Sequence, residues 1–206
     1  NQADPNSYYE AITDAAEHRS PGCPRAVKKA LTEVNDMLQN MPDFIDFAHR
    51  ELNVCPGTIP DYIQTSELLS QELLMTISTS FADANMIGNY PPSNSSWFAK
   101  LCHNFQDEKL NSVQQVANFW SLLEIKDNST SCFVMDLQLS EGRHPTLSGA
   151  DWSGLGPGLD GTMWDFQCCA TLLPKMSFSK ASMFVPRKWT YEWVKEHCLT
   201  RFGVVG

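Results

Sequence analysis

Between residues 24 and 39 the apolar side chains Val27, Leu31, Val34 and Leu38 recur at intervals of four, three and four. A 3.6-residue period that returns in successive segments restricts a chain to amphipathic helices burying their stripes against one another. "SPGCP" supplies the opening turn of the first such helix, with proline at its start. A shorter helix is predicted over 42–52, stopped by "CPG". Thr58 is expected to cap a long helix from Pro60 to about Phe81, with Tyr62, Ile63, Leu69, Leu73, Leu74 and Ile77 as its stripe. "WFAKLC" forms one helical turn or two. Asp107 to about Ile125 forms another helix, with Val113, Val116, Phe119, Trp120 and Leu123 on one face. Each stripe is read as core packing, so Cys23 to Cys132 is a mostly helical unit.

The pattern stops after Cys132. Residues 140–162, "SEGRHPTLSGADWSGLGPGLDGT", are rich in Gly, Ser and Pro and lack a period, which marks a long loop. A turn, a short helix from about Thr190 to Thr200 and an extended apolar exit follow. At 206 residues, 42% hydrophobic and 19% charged, the chain is able to bury a substantial core. A formal charge of −9 excludes nucleic acid and anionic membrane surfaces as natural partners. The best apolar run, Leu68 to Ile77, is interrupted by Ser70, Gln71 and Glu72, so no membrane span is expected. "NQADPNSYYE" has neither a basic end nor an apolar run, so no signal peptide is expected there.

Seven cysteines lie along the chain: Cys23, Cys55, Cys102, Cys132, Cys168, Cys169 and Cys198. None forms a C-x-x-C pair and no two histidines sit at ligand spacing, so no metal or other cofactor is expected. Cysteines in contexts such as "SPGCP", "LNVCPG" and "DNSTSC" read as disulfides of the secretory pathway. Two N-glycosylation sequons, at Asn94 and Asn128, point the same way. An odd count leaves one thiol outside any bridge.

Catalytic machinery is missing. The nearest approach to a G-x-S-x-G elbow is "GADWSG", where Asp151 stands at the required first glycine. His18, His49, His103, His144 and His197 are scattered, and no phosphate-binding loop, dinucleotide fingerprint or H-E-x-x-H motif occurs. No catalytic residue is assigned within this chain.

Three segments nevertheless carry a resemblance. "SYYEAITDAAEHRSPGCPRAVKKALTEV" resembles the stretch that leads into the helical insertion of family S28 serine peptidases, the lysosomal Pro-X carboxypeptidases and dipeptidyl peptidase II enzymes. "MWDFQCCATLLP" is similar to that family's W-x-Y-Q-x-C-T-E motif, and "SMFVPRKWTYEWVKEHCLTRFGV" to its D-M-F…W…C…W/F-G-V segment. The likeness spans nearly the whole chain.

The resemblance implies a mainly α helical cap, the SKS domain, inserted in an α/β-hydrolase fold between its Ser and its Asp. Residues 1–22 would lead in from the hydrolase domain and 23–139 would be the cap. The loop 140–162 and a return segment 163–206 toward the hydrolase domain would complete the chain. The parent enzyme would be a lysosomal or extracellular serine exopeptidase acting next to proline, without cofactor and with a homodimer as a possible assembly. Its own hydrolase domain and proline-containing peptides would be the partners of the cap. The resemblance pairs Cys23 with Cys102, Cys55 with Cys132 and Cys169 with Cys198, leaving Cys168 as the thiol outside the bridges. A Cys168–Cys169 disulfide would need a strained ring and a distorted peptide. Trp164, Asp165, Gln167, Leu173 and Pro174 would face the substrate. Asp165 matches an acidic position of the dipeptidyl peptidase members, where it meets a free amino terminus. Two departures stand out: Thr171 replaces the motif's Glu and Phe166 its Tyr. The loop before Trp164 is also longer than in mammalian members. The rival reading is a stand-alone, disulfide-bonded helical binding module or secreted antigen without catalysis.

Overall fold

The structure is a computed structural model that describes residues 7–61, 63–89, 91–123, 132–135, 163, 166–172, 177–187, 192, 195, 198–199 and 202–204. Among the described residues six named α-helices form the body: α1 (Ser7–Arg19), α2 (Cys23–Gln39), α3 (Phe44–Arg50), α4 (Ser66–Met86), α5 (Trp97–Gln106) and α6 (Ser112–Phe119). A 3₁₀ turn, Trp120–Leu122, continues α6, and a π-helical turn covers Cys168–Leu172. The described residues contain no strand, only the bridges Val54 to Phe133 and Phe178 to Arg187.

Helix α2 buries Val27, Leu31, Val34 and Leu38, the predicted stripe, together with Cys23 and Ala30. Gly22 starts it at φ 86°, a conformation that glycine takes without the Cβ penalty, and Pro24 follows at the first turn. Helix α1 belongs to the same core through Tyr9, Ile12 and Ala16. Periodicity does not reveal it, because its inward face is short and ends in an alanine.

Helix α4 begins at Ser66 rather than Pro60. Thr65 provides the cap, its side chain accepting from Leu68 N at 3.2 Å. Thr58 instead ties two loop segments together. Its buried hydroxyl donates to Cys55 O at 2.8 Å and accepts from Met135 N at 3.3 Å. The helix also runs on to Met86, beyond the expected stop at Phe81. Leu69, Ser70, Leu73, Met75, Ile77, Ser78, Thr79, Ser80, Phe81, Ala82 and Ala84 are all buried, so α4 is wrapped by its neighbours on most sides. Two of its interior hydroxyls are satisfied by backbone, Ser78 Oγ donating to Met75 O and Ser80 Oγ to Thr76 O, each at 2.8 Å, while Ser70 Oγ donates to Asn35 Oδ1 on α2 at 2.8 Å. Gly88 follows, where a Cβ would lie 2.8 Å from the Trp97 ring and 3.1 Å from Ala84 O.

Helix α6 is shorter than the 107–125 span expected. The Asp107 carboxylate accepts from Lys109 N at 3.0 Å, which turns the chain there. Asn111 and Gln114 then form a reciprocal capping box that sets the start at Ser112. Helix α5 is capped by Ser96, whose side chain accepts from Ala99 N.

Phe81 sits at the centre with no exposure, its ring 6.0 Å from Phe98, Phe105 and Phe184 and 6.1 Å from Phe119. Trp120 stacks on Phe133 at 4.3 Å and donates from Nε1 to Leu52 O at 2.8 Å. Three disulfides lock these contacts: Cys23–Cys102 ties α2 to α5, Cys55–Cys132 stands beside the Val54–Phe133 bridge, and Cys169–Cys198 closes the C-terminal part. They are the three pairs that the resemblance implies. Cys168 lies outside them as a buried thiol.

Candidate functional site

The C-terminal motif lies around the Cys169–Cys198 bridge. Both of these cysteines are fully buried, and the π-helical turn carries Cys168 and Cys169 inward. Phe166 meets Phe202 edge-on at 5.5 Å. Gln167 is exposed, as are Met163, Phe166 and Leu199, so residues flanking the turn and the bridge present apolar side chains to their surroundings. Of the residues expected to face substrate, only Gln167 is described. Trp164, Asp165, Leu173 and Pro174 lie outside the described residues, as does the sequon at Asn128. Most of the predicted 190–200 helix and all of the 140–162 loop lie outside them too.

Downstream of the motif, residues 177–187 form a strap across the bundle. Phe178 and Arg187 exchange backbone hydrogen bonds at 2.8 and 2.9 Å, closing it into a loop. Phe178 and Phe184 pack on the buried Tyr9 ring at 4.4 and 5.3 Å. Ser179 Oγ donates to Glu10 Oε1 at 2.5 Å, and Met183 N donates to Thr13 Oγ1 at 2.9 Å. Lys28 Nζ donates to the carbonyls of Lys180 and Ser182. At the far end Arg187 Nη2 donates to Gln71 Oε1 at 2.7 Å on α4. Burial pushes the Arg187 guanidinium down to about 10, and Glu72 and Glu67 oppose that shift. It therefore stays cationic at neutral and acid pH. The strap fixes the C-terminal motif's continuation to α1, α2 and α4.

Beneath the strap, α1 and α4 share a second polar cluster. Burial raises the Asp83 carboxyl to about 6. Burial also pushes the Tyr9 phenol up to about 12, although hydrogen bonds with Ser78 and Thr79 act against it. The Tyr8 phenol is raised by burial and then by the Asp83 charge.

A polar groove of about 720 Å³ opens between α2 and the α5–α6 turn. Arg25, Lys29 and Glu33 line its α2 side, and Glu108, Asn111 and Ser112 the other. The Ser112 hydroxyl donates to the Glu33 carboxylate. Charges of both signs suit it to a polar or zwitterionic chain better than to a simple anion.

The described histidines assemble no base with a nucleophile. His49 Nδ1 shares a hydrogen bond with Val54 O at 3.0 Å, while His18 and His103 are exposed on helices. Among the described residues no three His, Cys, Asp or Glu side chains gather as a metal site. Helical spacing does not single out Arg187, Asp83 or the Arg25–Lys29–Glu33 face. Charge next to apolar residues, the Arg187-Lys188 pair in "SMFVPRKW" and the single Asp83 in "SFADANM", is the signal that Arg187 and Asp83 leave.

No protein-family model matches the chain, and no curated protein matches it either.

Proposed function

We propose that this chain is the helical cap and return segment of a proline-directed serine exopeptidase of the S28 type. The observation that carries the reading is the cysteine pattern. Seven cysteines allow many pairings, yet the bundle forms Cys23–Cys102, Cys55–Cys132 and Cys169–Cys198 and leaves Cys168 out. Those are the pairs the motif resemblance implies. The exposed Met163, Phe166 and Leu199 beside the last bridge are consistent with a face that meets another domain.

In this reading the cap gates substrate. A rigid, bridged bundle over a hydrolase site excludes long chains and supplies pocket walls, while nucleophile and base come from the hydrolase domain. The three disulfides fit an oxidising secretory compartment, and no described helix is long and apolar enough to cross a membrane. The lysosome is the proposed destination.

The test is a pair of peptide series offered to the full-length protein. One carries a free amino terminus with proline second, the other a free carboxyl terminus with proline next to last. Cleavage beside proline in either series, falling steeply with peptide length, supports a gated exopeptidase. Cleavage that ignores proline, or none in either series, overturns it. Asp165 predicts that the amino-terminal series is the one cleaved.

A further inference from the structure

The Asn94-Ser95-Ser96 sequon has no place in substrate gating, and the fold gives it a specific geometry. Asn94 is exposed in the turn between α4 and α5. Its one described hydrogen bond is accepted from Arg19 Nη2 by Oδ1 at 3.3 Å. A guanidinium only donates, so the amide oxygen must face it and Nδ2 must face away. The nitrogen that carries an N-linked sugar is thus directed outward, while the oxygen is held.

The hydroxyl of the same sequon is already engaged. Ser96 Oγ accepts from Ala99 N at 3.2 Å as the cap of α5. Ser96 N donates to Ser93 O at 3.0 Å, and the Ser93 and Ser95 hydroxyls are 3.1 Å apart, so 93–96 is a closed turn. Further along α5, Cys102 is bonded to Cys23, which fixes α5 against α2. A transferase that reads the asparagine and the hydroxyl two residues on needs this tripeptide open and the Ser96 hydroxyl available.

We infer that Asn94 receives an N-linked oligosaccharide before α5 docks on the bundle, and that Arg19 then holds the glycosylated amide by its oxygen. In the transfer, Asn94 Nδ2 attacks C1 of the first sugar of a polyisoprenyl-pyrophosphate oligosaccharide. The N–C1 bond forms, the C1–O bond to pyrophosphate breaks, Nδ2 gives up one proton and the lipid pyrophosphate leaves. Capping of α5 and closure of Cys23–Cys102 come afterwards. The inference requires only a secretory route and is independent of the peptidase reading.

The whole chain, secreted from eukaryotic cells, is mapped by deglycosylation in ¹⁸O water, which separates Asn94 from Asn128 at the peptide level. Asn94 is expected to be occupied, and Asn94→Gln to lose one glycan. Ser96→Ala should abolish occupancy and Ser96→Thr should retain it. The order of events is read with unglycosylated chain made in bacteria, purified oligosaccharyltransferase and lipid-linked oligosaccharide. Oxidised, folded chain should be modified at Asn94 more slowly than the same chain reduced and unfolded. An unmodified Asn94 in the secreted chain, or equal rates for folded and unfolded chain, overturns the inference.

Discussion

Replacing Cys23 and Cys102 together by alanine tests how the bundle is held. The bridge spans 79 residues, and Cys169–Cys198 spans 29. If a disulfide acts by restricting the unfolded chain, the longer loop contributes about 4.5 kcal/mol and the shorter about 3.6 kcal/mol. The difference, about 0.9 kcal/mol, depends only on the ratio of loop lengths. Local packing predicts something else. All four sulfurs belong to residues with no exposure, so the cavities left by the two alanine pairs are alike and the losses should be equal. Urea unfolding of the oxidised chain and of each double variant, followed by circular dichroism, gives both losses by linear extrapolation. An m-value no smaller than that of the oxidised chain shows that the whole bundle, and not only the C-terminal turn, is being unfolded, because removing a cross-link expands the unfolded chain. The larger loss is expected for Cys23→Ala/Cys102→Ala. Equal losses, or a larger loss for the shorter loop, would refute the chain-entropy account.

Asp83→Asn tests the cluster between α1 and α4. The folded carboxyl titrates near 6 against an ordinary value of 3.8, so the folded chain binds more protons in that window. The unsubstituted chain should therefore lose stability relative to the variant as pH rises from about 4 to about 6, by on the order of 1 kcal/mol once solvent screening is allowed for. Melting temperatures of both proteins across that range check this, and a constant difference would rule it out. Phe81→Ala removes the ring that Phe98, Phe105, Phe119 and Phe184 surround. It should cost about 3–5 kcal/mol in urea unfolding, and a loss below ~1 kcal/mol would show that the centre lies elsewhere. Under the proposed peptidase reading, Asp165→Asn in the full-length protein should lower kcat/KM for free-amine substrates by an amount equivalent to about 2–5 kcal/mol while sparing acetylated ones. Equal cleavage of blocked and free substrates by the unmodified enzyme would contradict that role.

The helical body is legible in the sequence because its stripes are long: Val27, Leu31, Val34 and Leu38 need only a period to be seen. Helix ends are less legible. Thr58 and Thr65 are both plausible caps by composition, and only the fold shows that Thr58 is buried against Cys55 and Met135. Asp107 reads as a helix start until its carboxylate is seen turning the chain at Lys109. Helix α1 escapes because Ala16 packs without announcing itself as apolar surface. The polar centres escape for a related reason. Arg187 and Asp83 are ordinary charges in the sequence, and their shifted titration comes from the burial that the folded elements impose. The disulfide pairs follow from motif resemblance, since spacing alone leaves their connectivity open.

The central claim is that this bundle caps a serine hydrolase whose reactive serine lies outside residues 1–206. The direct measurement is labelling of the full-length protein with a serine-directed fluorophosphonate, followed by peptide mapping and assay on a proline-containing dipeptidyl substrate. The account predicts one labelled serine, located outside this stretch, with loss of proline-directed cleavage in step with labelling. A labelled serine within residues 1–206, or a full-length protein that takes up no label and cleaves no proline substrate, would contradict it.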